Sequence, residues 1–185
     1  MKVYFTSSIT GLNKFRKNCE KVSQILRKNR HKVCEDFLKI TKEQDRKETE
    51  KKSDFIYEYI IKKINEADIF IGEMSYRSTP VSYQLTYALE HKKPCLYLYE
   101  KDNGNPVHAV FKGNPSKYLT IIEYEAVDLE DIIDGFIKKS KKLMMRRFNF
   151  LIPAELDDKL RIKAAIEGVS KGEYLRKIIE DKIDK

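Results

Sequence analysis

The sequence predicts an α/β protein: a five-stranded parallel sheet with helices on both faces, followed by a small unit of different character. Three observations carry this. Five short apolar runs alternate with longer amphipathic ones over residues 1–137. Two of those runs are almost continuously apolar, as strands buried on both faces are. Basic charge is concentrated further on: residues 138–185 hold 14 Lys/Arg against 8 Asp/Glu, whereas residues 1–137 hold 23 against 21.

The predicted strands are "KVYF" (2–5), "HKVCE" (31–35), "DIFIGE" (68–73), "PCLYLY" (94–99) and "YLTIIEY" (118–124). Phe15, Cys19, Val22 and Ile25/Leu26 mark one helical stripe, and Ile56, Ile60/Ile61 and Ile64 mark a second. Helices are also expected over 81–92 and 128–139. The charged stretch 41–54 reads as a loop or a solvated helix face. Such a βαβ rhythm packs into a parallel sheet with right-handed crossovers.

A chain of 185 residues with 41% apolar side chains can build one core and an appendage. Cys19, Cys34 and Cys95 are widely spaced and read as reduced core thiols in a cytoplasmic protein. No run reaches the length of a membrane span. His31, His91 and His108 form no i,i+4 pair and have no cysteine cluster beside them, so neither a metal nor another cofactor is expected.

In open α/β sheets ligands bind beyond the carboxyl ends of the strands, where strand order reverses. Two such ends are rich in hydroxyls. "TSSITG" (6–11) follows the first strand, and "EMSYRSTPVS" (73–82) follows the third, with Thr79 read as a helix cap and Pro80 as the first helical residue. Free N–H groups of that turn and the Ser78 hydroxyl would hold an anion, which suggests a phosphorylated small molecule.

"VYFTSSITG" (3–11), "IYEYIIKKINEADIFIGEMS" (56–75), "STPVSYQLTYAL" (78–89) and "HAVFKG" (108–113) resemble the nucleoside 2-deoxyribosyltransferase superfamily, and most closely its 2'-deoxynucleoside 5'-phosphate N-hydrolase branch. The resemblance implies a flavodoxin-like fold, a homodimer and a nucleotide pocket. It places Tyr4 at the family's tyrosine, and Ser7, Ser8 and Gly11 at its first-loop phosphate and ribose contacts, with Thr10 where an arginine is usual. Ser78 falls at a phosphate serine, with Pro80 in place of a glycine. His108 falls at a serine contributed by the partner subunit. The family's nucleophilic glutamate matches Gln84 and its helper aspartate matches Ile60. N-glycosidic cleavage passes through an oxocarbenium-like transition state that wants an anionic oxygen, so these two departures point away from catalysis. Gln84 can still hold a sugar hydroxyl or a base edge. Glu73 and Asp36 are the substitute carboxylates to consider, Glu73 also being a candidate ligand-binding residue.

Beyond a basic linker (138–145), "RRFNFLIPAELDDKLRIKAAIEGVSKGEYLRKIIEDKI" (146–183) combines an alternating strand, a helix entered at Pro153 and ended at Gly168, and an S-x-x-E box opening a second helix. The first helix would turn Leu156, Leu160 and Ala164 inward, the second Leu175, Ile178, Ile179 and Ile183. This pattern resembles the ribbon-helix-helix repressors. That resemblance implies dimerisation and double-stranded DNA read by Arg147, Asn149 and Leu151, with Ser170 and Lys171 on a phosphate. The expectation is therefore a homodimeric DNA-binding transcription regulator whose degenerate hydrolase-like domain (1–137) senses a nucleotide through Tyr4, Ser7, Ser8, Gly11, Glu73, Ser78, Gln84 and His108. Two other readings are a nucleotide N-glycosidase or deoxyribosyltransferase using a nonstandard carboxylate, and a dimerising interaction protein.

Overall fold

The computed structural model describes residues 1–34, 38, 53–145 and 149–183. Asp36, Arg147 and Phe148 lie outside them. The chain divides into two compact units, Met1–Met145 and Arg146–Lys185.

The first unit is a five-stranded sheet of order β2-β1-β3-β4-β5, built from β1 (Lys2–Ser7), β2 (Lys32–Cys34), β3 (Ile69–Glu73), β4 (Cys95–Glu100) and β5 (Leu119–Tyr124), with every pairing parallel. This is the flavodoxin-like α/β arrangement. Strand order reverses between β1 and β3, which places the ligand crevice at their carboxyl ends. All five expected strands are present, with ends shifted by one or two residues. The largest shift matters: β1 runs on through Thr6 and Ser7, so the first hydroxyl loop begins one pleat later than the sequence suggests.

Strand alternation divides the core. Val3, Phe5, Ile69, Ile71, Leu96 and Leu98 face α1 (Leu12–Lys28) and α5 (Leu129–Met144). Tyr4, Phe70, Cys95 and Tyr97 face the opposite layer, which includes Ile64 of α2 (Ser53–Glu66) and Leu85 of α3 (Thr79–Glu90). A one-turn helix, α4 (Ala109–Lys112), precedes β5.

Residues 138–144, expected as a linker, continue α5, and Ser140 is fully buried with its hydroxyl donating to the Phe136 carbonyl. The apolar stripe Ile133, Phe136 and Ile137 holds that turn down, and four lysines hide it in the sequence.

The second unit contains α6 (Ala154–Ile166) and α7 (Lys171–Ile183). Gly168 between them has φ +68°, the left-handed conformation that ends a helix most cheaply on glycine. The Ser170 box forms as the sequence predicts: the Ser170 hydroxyl donates to Glu173 Oε2 at 2.7 Å and accepts from the Glu173 N–H at 3.2 Å. Residues 149–153, by contrast, are neither strand nor helix.

Candidate functional site

Tyr4 sits in the middle of β1 and points into the α2/α3 layer. Its ring stacks on Phe70 with centroids 5.8 Å apart, and its hydroxyl donates to Gln84 Oε1 at 3.3 Å across 80 residues of sequence. Gln84 is on the second turn of α3 and only 7% exposed. Among the described residues no buried side-chain nitrogen or oxygen lacks a partner. The Gln84 amide nitrogen has none there, so that end of the side chain is not fully enclosed. Ile60 is half-buried and packs against the same cluster as Tyr4, an apolar wall where an acid would otherwise stand.

Two hydroxyl loops follow β1 and β3, at the carboxyl ends of these neighbouring strands. Ser8 is buried, and its Oγ accepts the Gly11 N–H at 3.3 Å. Gly11 caps α1, and a methyl group there would collide with the Tyr76 side chain, so glycine is what lets the loop after β3 close on the loop after β1. Ser78, half-buried with φ −146°, is the residue that caps α3; Thr79 and Pro80 are its first two helical residues, so the helix begins one step earlier than expected. The Ser78 hydroxyl makes no capping bond, which leaves the first turn of α3 without a side-chain acceptor. Arg77, which the sequence reading passed over, stands beside it and donates to the Pro106 carbonyl at 3.4 Å. A cation adjacent to Ser78 was the signal that could have found it.

Glu73 has a different setting. It is fully buried, and its pleat turns it to the α1/α5 layer, away from Tyr4 and Gln84. Its carboxyl group receives four donors: the Ser7 hydroxyl at 3.2 Å, the Ser75 N–H at 3.3 Å, the Ser75 hydroxyl, and the Tyr124 hydroxyl at 3.0 Å. Burial raises its pKa, and the donors from Ser75, Tyr124 and Ser7 oppose that rise. The nearby Cys19 thiol is pushed up to about 12, first by burial and then by the Glu73 charge, so it is a packed thiol and not a nucleophile. As the substitute carboxylate for glycosidic chemistry Glu73 is poorly placed, because its acceptor capacity is already occupied.

His108 is exposed and caps α4, its Nδ1 accepting the Val110 N–H at 3.3 Å. In the second unit Asn149 and Leu151 are exposed, Leu151 completely so at 101%. Ser170 is taken up by its helix box, and the Lys171 ammonium pairs with Asp157. Among the described residues no group of three or more His, Cys, Asp or Glu could hold a metal ion, and no described helix is long and apolar enough to cross a membrane.

No protein-family model matches the chain. A protein of Syntrophotalea carbinolica, provisionally named a 2'-deoxynucleoside 5'-phosphate N-hydrolase, is 30% identical over 132 residues, covering 69% of this chain and 87% of its own length. A protein of the same provisional name from Thermofilum pendens is 26% identical over 133 residues, with 69% and 88% covered. A 5-hydroxymethyl-dUMP N-hydrolase of Branchiostoma floridae is 27% identical over 78 residues, covering 42% of this chain and 74% of its own. Among solved structures, a CMP N-glycosidase of Clostridium botulinum superposes with a TM-score of 0.54 at 14% identity, over 72% of this chain and 99% of its own, a likeness of fold. The curated relatives bear enzyme names. They overturn both the expectation of a DNA-binding transcription regulator and the inference that this domain is not an enzyme.

Proposed function

This chain belongs to the 2'-deoxynucleoside 5'-phosphate N-hydrolase family, and from that premise we propose that its first unit is a nucleotide N-glycosidase. The unit binds a nucleoside 5'-monophosphate at the carboxyl ends of β1 and β3 and hydrolyses the bond between the sugar C1' and the base. The observation that carries this reading is the buried Tyr4–Gln84 hydrogen bond, on a sheet whose β1 and β3 run into the two hydroxyl loops. The open first turn of α3, with Ser78 and Arg77, suits a phosphate. Gln84 offers one lone pair to a water or sugar hydroxyl and two N–H donors to the crevice.

The amide decides the kind of chemistry. An amide oxygen does not attack C1', so no glycosyl-enzyme forms. Water adds in a single displacement as the C–N bond breaks, and the base leaves with the electron pair and takes up a proton. Without an anionic oxygen beside C1', stabilisation of the oxocarbenium charge falls to the Tyr4 oxygen and the substrate's own phosphate. Turnover should be slower than in a carboxylate enzyme. Incubation with a panel of ribo- and deoxyribonucleoside monophosphates, followed by chromatography of free base, tests this. Base in molar excess over protein, reduced by Gln84→Ala, is expected; no base from any nucleotide would overturn it.

The second unit resembles a ribbon-helix-helix element, and its proposed role is pairing with a second copy. Ala164 is its buried apolar residue, whereas Leu156, Ile162, Ile166 and Ile179 are exposed. A unit of this size does not bury such a face alone. Sedimentation equilibrium of the full chain should give a dimer, and a monomer at micromolar concentration would refute the pairing.

A further inference from the structure

Glu73 receives four hydrogen bonds in the interior of the first unit, and the reaction proposed above does not use it. Its partners are informative. Ser7 immediately precedes the first hydroxyl loop, and Ser75 opens the second. The same Ser75 hydroxyl accepts the Glu100 N–H at 2.7 Å, which ties in the end of β4. Tyr124, at the end of β5, donates to Glu73 and accepts from Asn18 Nδ2 at 3.1 Å, and the Asn18 amide also donates to Glu100 Oε1 at 2.8 Å. One carboxyl group therefore joins the carboxyl ends of β1, β3 and β5 directly, and β4 through Ser75. These are the strand ends from which the crevice loops depart.

We propose that Glu73 is a positioning residue: by bonding Ser7 and Ser75 at once it fixes the separation of the two hydroxyl loops, and so the span available to a nucleotide between Ser8 and Ser78. This rests on the crevice being a nucleotide site, as read above. A hydrogen-bonded carboxyl group suits the task better than an apolar side chain, because it sets a distance and a direction between two strands where a methyl group sets only a volume. The close approach of Tyr76 to Gly11 depends on the same separation. Shifts of an ångström in groups that hold a substrate are costly even when the chemical groups themselves are intact.

The test uses the full chain and three variants. Glu73→Leu keeps the bulk and strands all four donors. Glu73→Gln keeps the shape and can still take the Ser75 and Tyr124 donors on its oxygen. Ser75→Ala removes the Ser75 hydroxyl from Glu73 and from the Glu100 N–H, weakens the link to the second loop while the Ser75 N–H bond stays, and carries the test should Glu73→Leu fail to fold. Hydrogen–deuterium exchange of residues 8–11 and 75–78 reports loop order without any need for turnover, and KM and kcat are measured with the best nucleotide of the panel. Expected are faster exchange confined to both loops in Glu73→Leu, about a tenfold rise in KM with a smaller change in kcat, and recovery of most of both in Glu73→Gln. In Ser75→Ala, exchange rises in residues 75–78. Loop exchange and KM equal to the parent in Glu73→Leu and Ser75→Ala, alongside a lowered melting temperature, would overturn positioning and leave a packing role. A parent without turnover whose loops still loosen in these variants would sink the glycosidase reading and keep this one.

Discussion

The two sides of the sheet at the β1/β3 end use polar groups in opposite ways. On the α2/α3 side a 3.3 Å hydrogen bond joins Tyr4 to Gln84, and the Gln84 amide nitrogen has no partner among the described residues. On the α1/α5 side Glu73 receives four donors and is wholly buried. Gln84 and Glu73 are both buried polar side chains, and both looked like site residues in the sequence. The difference teaches that unused hydrogen-bonding capacity, more than polarity or burial, separates a group that can meet a substrate from one that holds the fold.

The largest effect that would expose this contrast is on stability. Glu73→Leu leaves buried hydroxyl and amide donors without acceptors, at about 1–3 kcal/mol for each one left unsatisfied. Partial relaxation should limit the total loss to about 3–5 kcal/mol, read from the shift in denaturant midpoint. Gln84→Ala should lose far less stability, because only one hydrogen bond goes. If the two cost the same, the contrast fails.

Next in size is chemistry. Restoring both acids, Gln84→Glu with Ile60→Asp, should raise base release by about a hundredfold or more, since catalytic groups act as a unit. It should also produce a covalent sugar adduct detectable by mass spectrometry, which the parent lacks. Glu73→Gln should produce no adduct and no comparable gain.

Tyr124→Phe removes one of the four donors to Glu73 and the acceptor for Asn18. A loss of about 1–2 kcal/mol is expected, with Tyr4→Phe nearer the low end.

The smallest effect is on pH. The folded pKa of Glu73 lies above 4.5 because burial disfavours its charge. The native state therefore holds that proton more tightly than the unfolded chain, and the stabilisation is complete below 4.5 and lost as pH rises through the folded value. Relative to Glu73→Gln, which cannot ionise, the parent should be more stable at acidic pH and lose that advantage as pH climbs above 4.5. Parallel stability curves would contradict the raised value.

Much of the fold could be read from the sequence because buried parallel strands are almost unbroken apolar runs: Ile69–Ile71 and Cys95–Leu98 allow no other placement. The end of α5 could not, since Ser140 and the lysines around it look like a linker until Phe136 and Ile137 are seen to pack. The site divides likewise. Tyr4 and Gln84 meet across 80 residues, and only the family resemblance brought them together in advance. Glu73 was visible as an acid at a strand end. Its role was not, because its partners Ser7 and Tyr124 come from distant segments and the pleat that turns it away from Gln84 follows from the register of β1 with β3. The described part of the segment expected as a strand, residues 149–152, takes no regular structure: alternation states which faces are apolar, and a strand still needs a neighbour.

The central claim, that a Tyr4–Gln84 amide site cleaves nucleotides without a covalent intermediate, is tested most directly by parallel turnover and intact-mass measurements on the parent chain with nucleoside monophosphates. The account predicts free base in molar excess over protein, no sugar adduct at any time point, and loss of release in Gln84→Ala. An adduct on the parent, or release untouched by Gln84→Ala, would contradict it.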